Sequence, residues 1–436
     1  MSQEPVMRRR AFLRTFGAAA AAMGLGSARR AWGAVAPSDR VVVAHIGVGG
    51  MGNAHVDWFS SFEDVEVAAL CDVDGNHLGG TLAKLKAKRP NAKIDTYGDF
   101  RKVLERDDID AVTVATPDHW HALIATHAFL AGKDVYGEKP LSYSIPESRA
   151  MLNALTARKR VFQLGTQIHA EENYHRVVDL VRSGILGTIH TVRVWKTGGA
   201  PMIEKTPDGD PPKELDYEMW LGPRPSRPYN RGRSHFNFRY FWDYSGGTYA
   251  DFWCHISDIA FWALNLGSPR TVQARGKLNA QGMAETHEWI DVDLEFEGLT
   301  YFWTTGVPDV PGAAGRGIGA CFIGTKGHLV TDYGSRAIFL DGKEVPNGDV
   351  PEVPQSVARS PGHQRNFIEC VRSRKLTESN LPYAHGMTIP MHIGLISFFT
   401  GRKLEWNAQA ERFVNDPEAD KLLDKTFRDP WKLPAA

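Results

Sequence analysis

A chain of 436 residues with 51 basic and 51 acidic side chains has no charge excess with which to hold nucleic acid or a charged membrane surface. Its length exceeds one ordinary core and suits two domains. Four scattered cysteines, Cys71, Cys254, Cys321 and Cys370, make neither a disulfide framework nor a metal-type C-x-x-C pair, so free, buried thiols are expected.

The chain begins with a twin-arginine pair, Arg9-Arg10, followed by Ala11-Phe12-Leu13 and a short Ala-rich run to Gly26. This pattern is that of a Tat export signal rather than a membrane span. Residues 1–36 are therefore expected to be a signal read by the Tat machinery, and the protein periplasmic, or membrane-associated if the signal is uncleaved.

Val41–Gly52, VVVAHIGVGGMG, joins a β-branched strand to Gly47, Gly49 and Gly52 in the spacing G-x-G-x-x-G, with Gly50 and Met51 inside the same loop. Such a loop turns tightly, brings backbone to a pyrophosphate and packs the next helix close. A second strand, Glu66–Cys71, ends on Asp72, twenty residues past Gly52. An acid there accepts hydrogen bonds from adenosine ribose hydroxyls, and the absence of Arg or Lys in Val73-Asp74-Gly75 favours NAD over NADP. A third strand, Ala111–Ala115, runs into Thr116-Pro117-Asp118-His119-Trp120-His121, a turn expected to face the cofactor. A helix over Ala122–Ala131 and a strand over Asp134–Tyr136 follow, leading to Gly137-Glu138-Lys139-Pro140. The peptide before Pro140 is a candidate for cis. Alternating strands and helices define an α/β, doubly wound parallel sheet over residues 37–160.

TPDHWH followed by GKDVYGEKPL resembles the Gfo/Idh/MocA oxidoreductase family. The resemblance extends to Trp220-Leu221-Gly222-Pro223 and to Gly401-Arg402-Lys403-Leu404-Glu405-Trp406, which look like an exported bacterial branch. It implies an N-terminal Rossmann domain and a C-terminal α/β domain, residues 161–436, built on a large, mostly antiparallel sheet. It also implies that Thr116, Pro117 and His121 line the cofactor cleft, with Asp118 in the same turn. Glu138 and Lys139 match the family's Glu-Lys-Pro motif, with the lysine at the reacting carbon. Where the family often carries Asn and Arg, the segment Leu164–Ala170 has Gln167 and His169, so cofactor and substrate contacts there are expected to differ.

Strand-like runs at Thr188–Trp195, Glu288–Phe296, Thr300–Thr305 and Ala320–Ile323 point to the second sheet, and Lys196–Arg233 to a long loop over the site. From Ala250 to Leu266 the pattern is helical, and Asp251, His255, Asp258 and Trp262 share one narrow face. That face has no Lys, Arg or Glu, which is unusual for a solvated surface, and Asp251 and His255 match the family's Asp and His four residues apart. Oxidising a carbinol requires a base for the hydroxyl proton and a cation beside the developing alkoxide. His255 is assigned as base, Asp251 as its orienter and a substrate ligand, and Lys139 as electrostatic partner; a depressed pKa would instead make Lys139 the base.

The aromatic segment His235–Tyr244 suits a core, or a sugar-stacking platform using Trp242 or Tyr244. His235, His255, Asp251 and Asp258 match no metal-ligand spacing, so no metal is expected. The function expected is NAD-dependent oxidation of a sugar, sugar derivative or cyclitol by a homo-oligomer, dimer or tetramer. The alternative is an NAD-dependent glycoside hydrolase or lyase, which needs a second acid–base group; Tyr174, His169 and Asp258 are the candidates. An exported enzyme must hold NAD tightly, and the arm Ala34–Arg40 is a candidate cover for the nucleotide or a neighbouring subunit.

Overall fold

The structure is a computed structural model and describes residues 40–434; the segment expected to be an export signal and most of the arm lie outside the described residues. Six parallel strands form the N-terminal sheet: β1 (Val41–Ile46), β2 (Val65–Cys71), β3 (Asp95–Tyr97), β4 (Ala111–Val114), β5 (Asp134–Gly137) and β6 (Phe162–Leu164), in the order β3-β2-β1-β4-β5-β6. This is the doubly wound order whose chain reversal, between β1 and β4, opens a crevice at the strand carboxyl ends. β1 and β4 are mostly apolar and almost wholly buried because helices cover both faces; their polar members, His45 and Thr113, are buried against each other at 2.7 Å. The helices between the strands are α1 (Gly50–Ser60), α2 (Gly75–Lys88), α3 (Phe100–Leu104), α4 (Asp118–Leu130) and α5 (Ile145–Arg158).

After α6 (Glu172–Arg182) the chain builds a ten-stranded sheet from β7 (Ile189–Lys196), β8 (Thr271–Leu278), β9 (His287–Phe296), β10 (Leu299–Thr304), β11 (Ile318–Gly324), β12 (Gly327–Thr331), β13 (Arg336–Leu340), β14 (Lys343–Val345), β15 (Leu404–Asn407) and β16 (Arg412–Phe413). Among the described residues, only β7 and β10 of this sheet pair in parallel and the other neighbours are antiparallel, as the family resemblance implied. The long connection from β7 carries the short helix α7 (Tyr217–Leu221) and leads to α8 (Gly247–Leu264). α8 is apolar on most sides because it is packed between the sheet, α6 and α10 (Leu381–Thr400).

One continuous core joins the two sheets, running from Phe129 and Leu164 through Tyr174, Trp253 and Met387 to Trp303. The division at residue 160 is not a clean one, because α9 (His363–Ser373) returns to the N-terminal sheet. There Phe367 and Ile368 pack with Val43, Phe59 and Tyr136, and Arg365 clamps Asp64 through two 2.9 Å bonds. All four cysteines are free and buried. Among the described residues no helix is long and apolar enough to cross a membrane.

Candidate active site

The glycine loop is shaped as the spacing requires. Gly47 has φ +76°, and a Cβ there would lie 2.7 Å from the Ala115 carbonyl oxygen. A Cβ on Gly52 would lie 1.8 Å from the Gly47 oxygen, so only glycine lets α1 start this close to β1. No side chain caps α1, leaving its first N–H groups and its positive dipole end to meet an anion. Asp72, at the tip of β2, accepts from Val48 N at 2.8 Å, Gly49 N at 3.2 Å and Asp74 N at 2.9 Å. It was expected to face the ribose; it lines the cleft while also bracing the loop.

These elements open onto a cleft of about 710 Å³, lined by Gly47, Gly49, Gly50, Met51, Asp72, Thr116, Pro117, Asp118, Glu138, Lys139, Gln167 and His255. Two expected cofactor residues are not at its wall. Gly52 packs beneath the loop, and His121 is buried with its ring nitrogens on the carbonyls of Pro140 at 2.7 Å and Thr116 at 2.8 Å. The reason is that α4 starts at Asp118, not after His121, so the histidine points back into the first helical turn.

At the floor of the cleft the Lys139–Pro140 peptide is cis, and the Lys139 ammonium donates to Asp251 Oδ1 at 2.6 Å. Their side chains are only 9% and 12% exposed. Burial alone would push the Lys139 amine down, but the charges of Asp251 and Glu138 carry it above its ordinary value. Burial would likewise raise the Asp251 carboxyl, and Lys139 with Arg239 holds it low. The Arg239 Nε is 3.4 Å from the same carboxylate oxygen. Glu138, behind the lysine, is paired with His55 at 2.9 Å. One turn along α8 from Asp251, His255 faces the cleft; burial, reinforced by the Lys139 charge, lowers it to about 4, so its imidazole is neutral at pH 7. Asp251 therefore anchors Lys139 and Arg239 instead of orienting His255 through a hydrogen bond, which corrects the role expected from spacing.

The expected substrate residues fare less well. Of Gln167, His169, Tyr174, Trp242 and Asp258, the cleft is lined by Gln167 alone. His169 Nε2 lies 3.0 Å from Asp258 Oδ1, with the His169 ring stacked on Trp262 at 4.2 Å and the Tyr383 hydroxyl donating to the same carboxylate. The polar face of α8 thus turns from cleft to interior after one turn, because α10 covers it. Tyr174 is wholly buried, its ring edge-on to Tyr333. Trp242 faces a second cavity of about 380 Å³, and Tyr244 is buried against Trp220.

Several cleft residues were not foreseen. Phe236 is 68% exposed beside the cleft, and the Arg239 guanidinium lies 4.6 Å from the Phe236 and Phe238 rings. The aromatic density of this segment suggested core and hid the arginine. Met219 and Trp220 of α7, with Glu171 and Tyr333, complete the wall, so the long loop does cover the site. His77 and His235 stand at the Asp72 end.

A family model for an NAD-binding Rossmann fold matches residues 41–166, and one for the C-terminal alpha/beta domain of the same oxidoreductase family matches residues 171–433. The chain belongs to the Gfo/Idh/MocA oxidoreductase family, and it is an NAD-binding enzyme of that class. The alpha-N-acetylgalactosaminidase of Shewanella oneidensis is 32% identical over 161 residues, 36% of this chain and 35% of that protein; the chain thus spans about a third of the length of the curated relatives it matches. The WlbA dehydrogenase of Bordetella pertussis, solved with NADH and UDP-GlcNAcA, superposes with a TM-score of 0.63 at 16% identity over 84% of this chain and 99% of its own. An aldose-aldose oxidoreductase from Caulobacter crescentus, complexed with glycerol, gives 0.60 at 19% identity over 84% and 99%. At these identities the two structures establish likeness of fold.

Proposed function

We propose that this protein oxidises a CH–OH group of a sugar, sugar derivative or cyclitol. The observation that carries the reading is that Lys139, bonded to Asp251 at 2.6 Å, and His255 meet at the floor of one cleft, where the charges of Asp251 and Glu138 hold the lysine above its ordinary value and burial lowers the histidine to about 4. When bound, NAD supplies the hydride acceptor; the Gly47–Gly52 loop, Asp72, Thr116 and Pro117 are the residues that would hold it. His255, deprotonated across the neutral range, accepts the hydroxyl proton. Lys139, kept charged by Asp251, stands ready for the negative charge growing on the same oxygen. The raised Lys139 amine supports the electrostatic role for Lys139 and the role of base for His255. Met219, Trp220 and Phe236 narrow the cleft mouth and limit water at the reacting carbon.

A second reading, redox-assisted glycoside cleavage, is supported by the likeness to the Shewanella oneidensis alpha-N-acetylgalactosaminidase. Its candidate acid–base groups Tyr174, His169 and Asp258 are sealed away, and Glu171 and Tyr333 are the cleft residues that take their place as candidates. A panel of free sugars and nitrophenyl glycosides separates the readings. Reduced nicotinamide with a free sugar supports the dehydrogenase; nitrophenol release without added NAD supports the hydrolase.

We further propose export through the Tat pathway, a homo-oligomeric state and retention of the nucleotide outside the cytoplasm. Ligand bound only to the native state stabilises it by about 4 kcal/mol at a thousandfold excess over Kd. Protein purified without added nucleotide should carry nearly one NAD(H) per chain through dialysis, and deleting Ala34–Arg40 should loosen the cofactor or the oligomer. Loss of all nucleotide on one desalting column would refute retention.

A further inference from the structure

At the Asp72 end of the cleft, three side chains from two separated parts of the chain meet. Asp74 caps α2 through Oδ1, which accepts from Asn76 N at 2.7 Å. Its other oxygen lies 2.9 Å from Nε2 of His235, 161 residues away in sequence. His77, in the first turn of α2, brings its ring to 4.7 Å from the His235 ring. One ligand atom from each of the three lies within 4.8 Å of the others. We propose that Asp74, His77 and His235 bind a divalent transition-metal ion that staples the loop carrying Phe236 and Arg239 to the tip of the N-terminal sheet.

The chemistry of the set supports this. Two imidazoles and one carboxylate are donors that zinc, cobalt and nickel accept, with water filling the remaining positions. Metal–ligand bonds of about 2.1 Å allow ligand atoms to stand up to about 4.2 Å apart, so small rotations suffice to close the set. Both histidine side chains are 35% exposed, which leaves their rings room to turn and make them. Asp74 is nearly buried and fixed by its capping bond, a rigid anchor for two adjustable partners. Behind His77, the Asp72 carboxylate lies 3.8 Å from Nδ1, near enough that a small turn of the ring would give it the hydrogen bond an outer carboxylate makes at histidine metal sites.

The position gives the ion a purpose that rests on the nucleotide reading above. A Cβ on Gly49 would lie 2.8 Å from His77 Nδ1, so the His77 ring is seated on the phosphate loop. Backbone bonds already draw the connecting segment here, Gly75 N to Glu214 O and Asp216 N to Val73 O, both at 2.9 Å. A metal at the three side chains completes that closure over the nucleotide and slows its release. The competing arrangement is closure by the His235–Asp74 hydrogen bond alone.

The test uses the full-length protein with its nucleotide, freed of metal by a chelator and titrated with Co²⁺ and Zn²⁺. The expected result is one Co²⁺ per chain at micromolar affinity or tighter, with visible ligand-field bands displaced by Zn²⁺. His77→Ala and His235→Gln should each weaken Co²⁺ by at least about 10-fold, the glutamine keeping a hydrogen-bonding group for Asp74. His190→Ala, an exposed histidine on β7, should bind as the parent does. NADH release should slow with Zn²⁺ in the parent and not in His235→Gln. Absence of saturable Co²⁺ binding, or equal binding in both ligand variants, overturns the site. Metal binding without any change in NADH release keeps the site and overturns its stapling role. The Co²⁺ bands do not depend on turnover, so a failure of the proposed reaction is distinguishable from a failure of the site.

Discussion

The Lys139 ammonium and the Asp251 carboxylate, 2.6 Å apart and almost fully enclosed, tie the end of β5 to the first turns of α8. That one bond sets where the cleft keeps its positive charge. Replacing Lys139 by Ala should cut turnover by about 10² or more. The carboxylate left behind retains Arg239, so the variant should fold but melt lower, as removal of one member of a buried pair requires. Steady-state rates together with circular dichroism check this, and undiminished turnover would contradict the role given to Lys139.

Asp251→Asn tests the other half of the pair. Without the carboxylate charge, burial dominates and the Lys139 amine falls from its raised value. The basic limb of the kcat/KM profile, where Lys139 loses its proton, should move to lower pH in this variant. An unmoved basic limb would show that Lys139 does not titrate in the reaction.

His255 governs the other side of the same profile. Burial and the Lys139 charge set it near 4 in place of the ordinary 6.5, so activity should persist well below pH 6.5 and fall only as pH approaches 4. His255→Gln should lose about 10² to 10⁴ in rate, the usual contribution of a positioned base. An acid limb at the ordinary histidine value would mean that the residue is more open to water than its position indicates.

Stability should follow the buried histidines. His45, His287 and His392 are lowered by burial to about 3, and His255 to about 4, from 6.5. Between pH 4 and 6.5 the unfolded chain then binds more protons at these four sites than the folded one, so stability rises with pH across that window. It is complete above about 6.5 and is lost as pH falls, through about 4 for His255 and on to about 3 for the other three. Denaturant unfolding at pH 5 and pH 7 measures the slope, and His392→Gln should flatten it by about one proton.

Gly52→Ala should abolish nucleotide binding, because the added Cβ meets the Gly47 oxygen at 1.8 Å and the loop must move. Gly79→Ala, in α2 with nothing within 4 Å of the new carbon, should bind as before and gain up to about 1 kcal/mol from helix propensity. Bound nucleotide after gel filtration distinguishes them.

What the sequence disclosed was mostly local. The strand, glycine loop, α1 and Asp72 lie within some thirty residues, so their spacing carries their geometry. Lys139 was found through the Glu-Lys-Pro motif, and Asp251 with His255 through helical periodicity. The misassigned residues failed for a tertiary reason. Periodicity placed Asp258 on the same face as Asp251, but α10, an apolar helix with no sign of its destination in its pattern, covers that half of the face. His121 was misplaced because α4 begins at Asp118, straight after Pro117, without the polar cap that would have marked its start. Arg239 was masked by the aromatic residues around it. His235 meets Asp74 and His77 only after the chain has crossed from one domain to the other, a contact no short window contains.

The most direct test of the central claim is a single-turnover experiment on protein purified with its own nucleotide. Once a substrate has been found in the sugar panel, rapid mixing should produce the near-ultraviolet absorbance of one reduced nicotinamide per chain in the parent. The His255→Gln variant, holding the same nucleotide, should produce it slower by about 10² or more. Reduction at the parental rate in that variant would contradict the assignment of the base. A protein that neither retains nor binds NAD(H), or that reduces it with no sugar, sugar derivative or cyclitol, would contradict the account as a whole.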